Sequence, residues 1–230
     1  MSISNEIIFI SEFLLIFSVL LLSYKLFGKT GIYVWIVLST VLANIQVTIT
    51  IGVFGMVATL GNIIYGSSFL ATDILSEKHG IREARKGVFI GFFANLATMA
   101  IMQLIIRYTP HGSDFMMGHV QQIFMLFPRV VAGSLAAFLC SQLHDTWAFD
   151  FWKRRFPRHL WLRNNASTIV SQALDTSIFV FIAFWGVFDT DIVLGIAFST
   201  YILKLIVAVC DTPFMYLAAR MNNFVFKEEQ

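Results

Sequence analysis

Charge is what this chain has least of. Asp, Glu, Lys and Arg make up 13% of its 230 residues, against roughly 25% in an ordinary soluble domain. That deficit excludes a soluble globular protein and leaves no charged module to present a nucleic-acid-binding surface. Cysteine is scarce as well. Cys140 and Cys210 both sit in hydrophobic runs, which reads as two buried apolar residues rather than a disulfide or a metal pair. The chemistry-bearing motifs are absent too. There is no Gly-rich phosphate loop, no nucleophile elbow and no pair of catalytic carboxylates at a helix end, so an enzyme is not expected. His111, Asp114 and His119 have a spacing that fits no established metal site. No cofactor or metal is expected. The N-terminal stretch carries Glu6 and Glu12 and no basic region, so its hydrophobic run is expected to persist as a helix and not as a cleaved signal peptide.

What is present is apolar bulk: 57% hydrophobic residues, 24 of them Phe. This is the composition of an all-α integral membrane protein, with room for six or seven spans of about 20 residues. Hydrophobic runs punctuated by turn residues place seven spans at about 6–27, 31–52, 55–77, 87–108, 118–143, 165–187 and 192–219. Gly28 to Gly31 form a tight turn, Gly52 and Gly55 a short uncharged one, and Pro128 falls inside the fifth span. Lys25, Lys29, Lys78, Arg82, Arg85, Lys86, Lys153, Arg154, Arg155, Arg158, Arg163, Arg220 and Lys227 all fall on one side of a seven-span chain. The positive-inside rule then puts the N-terminus outside and the C-terminus in the cytoplasm.

Polar residues interrupt these spans. In the third, Asn62, Tyr65, Phe69 and Asp73 form one helical stripe. Asn44 lies in the second span, Asn95 and Gln103 in the fourth, Arg129 in the fifth, Gln172 and Asp175 in the sixth. Lys204 and Asp211 stand two turns apart in the seventh, on one face. Gln46, Asn95 and Gln103 read as glue between helices. The ionisable residues differ, because a charge at bilayer depth costs roughly 2.5–3.5 kcal/mol. Arg129 and Lys204 can neutralise two of Asp73, Asp175 and Asp211, and five charges on four helices point to a hydrated substrate or ion pathway. Gly87-x-x-x-Gly91 and Gly133-x-x-x-Ala137 read as close helix contacts.

The order of these motifs carries a resemblance. Phe69 to Gly80 followed by Ala84-Arg85, then Pro128 to Ser134, Ser141-Gln142-Leu143-His144-Asp145, Asn165 to Thr168 with Asp175-Thr176, Phe181 to Trp185, and Tyr201 to Lys204 resemble the queuosine precursor transporter family, also called the vitamin uptake transporter family. The resemblance spans about residues 31–220. It implies a six-helix core, with residues 1–30 an added N-terminal helix and 221–230 a cytoplasmic tail. It also implies a multi-pass inner-membrane importer of a 7-deazapurine base, namely 7-cyano-7-deazaguanine, its aminomethyl relative or queuine. The family is distantly similar to the S-components of energy-coupling-factor importers, so a vitamin or nucleobase importer that needs an energising partner is the alternative.

A deazaguanine offers two donors beside a carbonyl acceptor. A carboxylate accepts both donors at once, which makes Asp73 and Asp175 the candidates. Asn44, Asn62 and Gln172 can meet the carbonyl or ring nitrogens. Tyr65, Phe69, Phe179 or Trp185 can stack on the base. Arg129, Lys204 and Asp211 complete the expected set. On the predicted topology Asp73 lies low in the membrane with Asp211, as readily an inner gate as a ligand, and Asp175 is the stronger candidate for reading the base. The expected partners are that base and the lipid bilayer, with no nucleic acid; a homodimer is left open.

Overall fold

The computed structural model describes residues 4–124, 128–186, 189–222 and 225; of residues 50, 56–58, 128–131 and 192 it describes the backbone alone. The chain is nearly all helix. Among the described residues, four stretches are long and apolar enough to cross a membrane: Asn5–Gln46, Ile81–Ile105, Leu160–Phe184 and Val193–Arg220.

The first helix, α1 (Asn5–Gln46), is two antiparallel arms. Gly28 breaks it with φ 58° and ψ −136°, a conformation open to glycine and closed to most side chains. The Ser23 hydroxyl donates to the Gly31 carbonyl across 3.0 Å. Eight residues of continuous helix would hold those groups about 12 Å apart, so the chain reverses at Gly28. The predicted tight turn is there, and the arms 5–27 and 29–46 are the first two predicted spans.

The next segment departs from expectation. The second and third spans do not meet at Gly52 and Gly55. A β-hairpin stands between them, β1 (Thr50–Val53) and β2 (Met56–Thr59), paired Thr50 to Thr59 and Val53 to Met56. Phe54 and Gly55 both have positive φ, 51° and 71°, the signature of a two-residue turn that matches strand twist. The cause is local. Val47-Thr48-Ile49-Thr50-Ile51 is rich in β-branched residues, which lose χ1 freedom in a helix and fit a pleated strand. The hairpin is pinned to the start of α1: Asn5 donates to the Gly52 carbonyl (2.8 Å), the Phe54 amide donates to Glu6 (3.3 Å), and Phe9 meets Phe54 edge-on.

Helix α2 (Asn62–Lys78) therefore starts at 62, not 55, and is short. It is buried over nearly its whole length, Asn62, Phe69, Thr72 and Asp73 included. A helix enclosed by other helices needs no apolar face toward lipid, which is why it tolerates its polar content. Helix α3 (Ile81–Ile105) packs beside it. At Gly91 a β-carbon would come within 2.8 Å of Ile36, so the small-residue motif there is a close helix contact, as predicted.

The fifth predicted span takes in α4 (Met117–Phe124) and α5 (Pro128–Arg155), described on either side of residues 125–127. Pro128, read from sequence as lying inside the span, is the first described residue of α5. The helix also runs to Arg155, so Ser141 to Asp145 lies in its interior and not at its end. Helix α6 (Leu160–Phe184) pairs closely with α5. The last predicted span divides at Asp211 into α7 (Thr190–Cys210) and α8 (Thr212–Arg220), with Pro213 in the first turn of α8. One core unites both arms of α1 with α2 and α8. In it, Phe13 and Phe17 pack on Phe214 at centroid distances of 5.8 and 5.3 Å. The basic segments converge at the end away from the hairpin. Lys78 reaches the Ala219 carbonyl, Lys153 the Ser76 and Glu77 carbonyls, and Arg163 the Glu77 carboxylate.

Candidate functional site

Inside the bundle lies a cavity of about 480 Å³. The second arm of α1 contributes Thr40 and Asn44. The hairpin's exit contributes Thr59, Gly61 and Asn62, α2 Tyr65, and α3 Asn95. From α5 come Ser134 and Phe138, from α6 Asp175 and Phe179, and from α7 Ser199, Thr200 and Lys204.

Two polar clusters face each other across it. The first centres on Asp175. One carboxylate oxygen accepts from the Tyr65 hydroxyl at 2.5 Å and the Ser141 hydroxyl at 3.1 Å; the other accepts from the Lys204 ammonium. Lys204 also sits 4.9 Å from the centre of the Tyr65 ring, in cation–π range. Both members of the ion pair are buried, at 4% and 7% exposure. At that depth neither charge is tolerable alone, and the pair with its two extra hydroxyl donors offsets much of the desolvation.

The second cluster is neutral. The Asn44 amide donates to the Asn95 side-chain oxygen (2.5 Å) and to the Thr40 carbonyl (3.1 Å), and its own oxygen accepts from Ser134 (3.1 Å). Aromatic faces close the space between, with the Tyr65 and Phe138 rings 6.3 Å apart.

Of the predicted set, Asn44, Asn62, Tyr65, Asp175 and Lys204 line this cavity, with Phe179. Asn62 spends its amide on the Thr59 carbonyl, 3.1 Å. Phe69 lies behind Tyr65, edge-on at 5.5 Å, and is fully buried. Trp185 is half exposed beside Phe181, away from the cavity. Gln172 is buried one turn from Asp175, with no hydrogen-bond partner for its amide among the described residues. The Arg129 side chain lies outside the described residues.

Asp73 and Asp211 are not at the cavity wall. Lys204 and Asp211 part company because Asp211 is the residue at which α7 gives way to α8. Its carboxylate takes the Asn164 amide at 2.9 Å instead. Asp73 is fully buried and unpartnered among the described residues. Lys204 thus neutralises Asp175 alone. Asn95, read from sequence as glue, both holds Asn44 and faces the cavity. Ser134 and Phe138 were missed. The available signal was spacing, since Ser134, Phe138, Ser141 and Asp145 rise along one face of α5 at steps of three or four.

The family model described as "Putative vitamin uptake transporter" matches residues 59–218. A Bacillus subtilis protein named probable queuosine precursor transporter is 46% identical over 207 residues, 89% of this chain and 90% of that one. The Escherichia coli queuosine precursor transporter is 30% identical over 176 residues, 73% of this chain and 75% of that one. A Haemophilus influenzae protein named probable queuosine precursor transporter is 26% identical over 160 residues, 68% and 66% of the two chains. No solved structure matches. The matched region holds Asp175, Lys204 and every helix of the cavity except α1, and the chain belongs to this vitamin uptake transporter family, a family of transporters and not of enzymes.

Proposed function

We propose that this chain imports a queuosine precursor, a 7-deazapurine base such as 7-cyano-7-deazaguanine or its aminomethyl relative, across the cytoplasmic membrane. The carrying observation is the cavity with an ion-paired carboxylate on one wall and an amide pair on the other. Its volume of about 480 Å³ falls within the roughly 300–1,000 Å³ of small-molecule sites. Asp175 has one oxygen held by two hydroxyls and the other by Lys204. A base that donates its N–H and amino groups to Asp175 frees Lys204 to donate to the neighbouring carbonyl, so the buried charges stay satisfied throughout. Asn44 and Asn95 stand ready for the opposite edge, and Tyr65, Phe138 and Phe179 for the ring faces. The relatives' names support the substrate class.

The topology that serves this function is seven spans with the N-terminus outside. With the two arms of α1, then α2, α3, α5, α6 and α7–α8 as the spans, the basic segments share one side, which the positive-inside rule favours as the cytoplasm. Thr48, Thr59, Leu60 and Gly61 line the cavity at its hairpin end, which this topology sets toward the outer side. Uptake of labelled 7-cyano-7-deazaguanine by cells lacking their own transporter tests the reading. At equal protein level Asp175→Ala loses uptake; unchanged uptake in that variant overturns the assignment. Purified protein in liposomes without any ATPase should transport by itself, which separates this reading from an S-component that needs a partner.

A further inference from the structure

Below the cavity, toward the basic end, lies a second set of buried carboxyls that the cavity does not use. Asp73 of α2 and Asp145 of α5 face each other, both at 0% exposure. Neither carboxylate has a hydrogen-bond partner of good geometry among the described residues, although three hydroxyls stand beside Asp145. Around Asp145 stand Ser167, Thr168 and Ser171 of α6. The other titratable groups turned toward the pair are Asp211, at the α7–α8 junction, and Glu77, one turn along α2, both acidic. His144 bonds Ser171 at 2.9 Å, one of the three hydroxyls beside Asp145. The cations of this end, Arg163 and Lys153, are held on Glu77 at 2.6 and 3.3 Å. No cation touches the pair among the described residues.

Two carboxylates buried so deeply repel each other, whereas one proton between them turns the repulsion into a short O–H···O⁻ hydrogen bond. The site is also joined to the cavity. Asp145 is one helical turn from Ser141, which donates to Asp175. On α6, Gln172 occupies the turn between Thr168 and Asp175. It is 1% exposed, and both of its amide atoms lack a partner.

We propose that Asp73 and Asp145 form a proton-binding site that takes up one proton from the outer side and releases it to the cytoplasm in each transport cycle, coupling uptake to inward movement of H⁺. The coupling rests on the transport function proposed above; the proton site itself does not.

Two arms keep those failures apart. In the first, infrared difference spectra are recorded on the full purified chain in phospholipid, without substrate. The wild type shows a protonated-carboxyl band at neutral pH that shifts in Asp145→Asn, where Asp73 holds the proton against an amide, and vanishes in the double variant Asp73→Asn, Asp145→Asn; identical spectra overturn the site. The double variant Asp73→Asn, Asp145→Asn, in which two amides can pair, repeats the comparison should the single variant misfold. In the second arm, proteoliposomes clamped at zero membrane potential are given labelled 7-cyano-7-deazaguanine. One proton per substrate lets a one-unit inward pH difference hold about a tenfold accumulation. The wild type reaches it and Asp145→Asn equilibrates without accumulation. Accumulation driven by a sodium gradient, or indifferent to pH, overturns the coupling. No uptake under any gradient is instead a failure of the substrate reading, and the infrared arm then decides the proton site alone.

Discussion

Asp175 and Asp145 are the same residue type, buried to nearly the same extent on paired helices, yet the protein treats them in opposite ways. Asp175 receives a lysine and two hydroxyls and faces a cavity. Asp145 receives another carboxyl and faces packed helices. A charge neutralised by a lysine at a cavity wall can exchange that partner for a ligand's donor groups. A charge that no cation of the described residues neutralises has to be neutralised by something that enters, and a proton is the smallest such partner. Burial alone therefore does not mark a ligand-reading residue; the neighbours do.

Breaking the first half of this contrast gives the largest expected effect. Asp175→Ala leaves Lys204 charged and alone, and removing one partner of a buried pair costs about 3–5 kcal/mol. Thermal unfolding of the purified variant should fall sharply. The double variant Asp175→Asn, Lys204→Met should lose less stability than the single losses sum to, because the two residues are coupled. Tyr65→Phe comes next. It removes a hydroxyl bonded to a charged group, worth about 1.5–3 kcal/mol, so affinity for the deazapurine should fall by roughly ten- to a hundredfold. Asp145→Asn sharpens the other half. Losing one of two opposed carboxyls leaves no cation stranded, so stability at neutral pH should change by no more than about 1 kcal/mol. If Asp145→Asn unfolds as badly as Asp175→Ala, the two carboxyls are not different in kind.

The sequence makes part of this legible. Composition alone reads as a helical multi-pass membrane protein, and Gly28 marks the reversal between the first two arms. Asn44, Asn62, Tyr65, Asp175 and Lys204 are read from polarity at bilayer depth, a signal that survives because such residues are costly anywhere else. What escapes is set by local competition and tertiary partners. The β-branched run at 47–51 passes for the end of a hydrophobic helix, since a short apolar run has no periodicity to tell strand from helix. Asp145 escapes because its span is placed to end at 143, putting the residue in water on paper, whereas α5 carries it a further 10 residues from its own end at Arg155. The shared face of Lys204 and Asp211 is real as geometry but misleads about pairing, because Asn164 reaches Asp211 first. Helical phase says which residues can meet, not which partner wins.

Asn95 is the smallest test and the one that separates cavity wall from glue. If it only fastens α3 to α1, Asn95→Ala loses one hydrogen bond to Asn44, about 1 kcal/mol of stability, and binding of substrate is untouched. The structure predicts a different split. Asn44 also holds Ser134 and the Thr40 carbonyl, so the fastening survives in part, while the cavity loses a group that orients the Asn44 amide toward the ligand. The melting temperature should therefore shift little, and the deazapurine dissociation constant should rise by roughly fivefold, the equivalent of about 1 kcal/mol. A variant that melts early but binds normally returns Asn95 to the role of glue. It would also leave Asp175 and its partners to read the base from one side only.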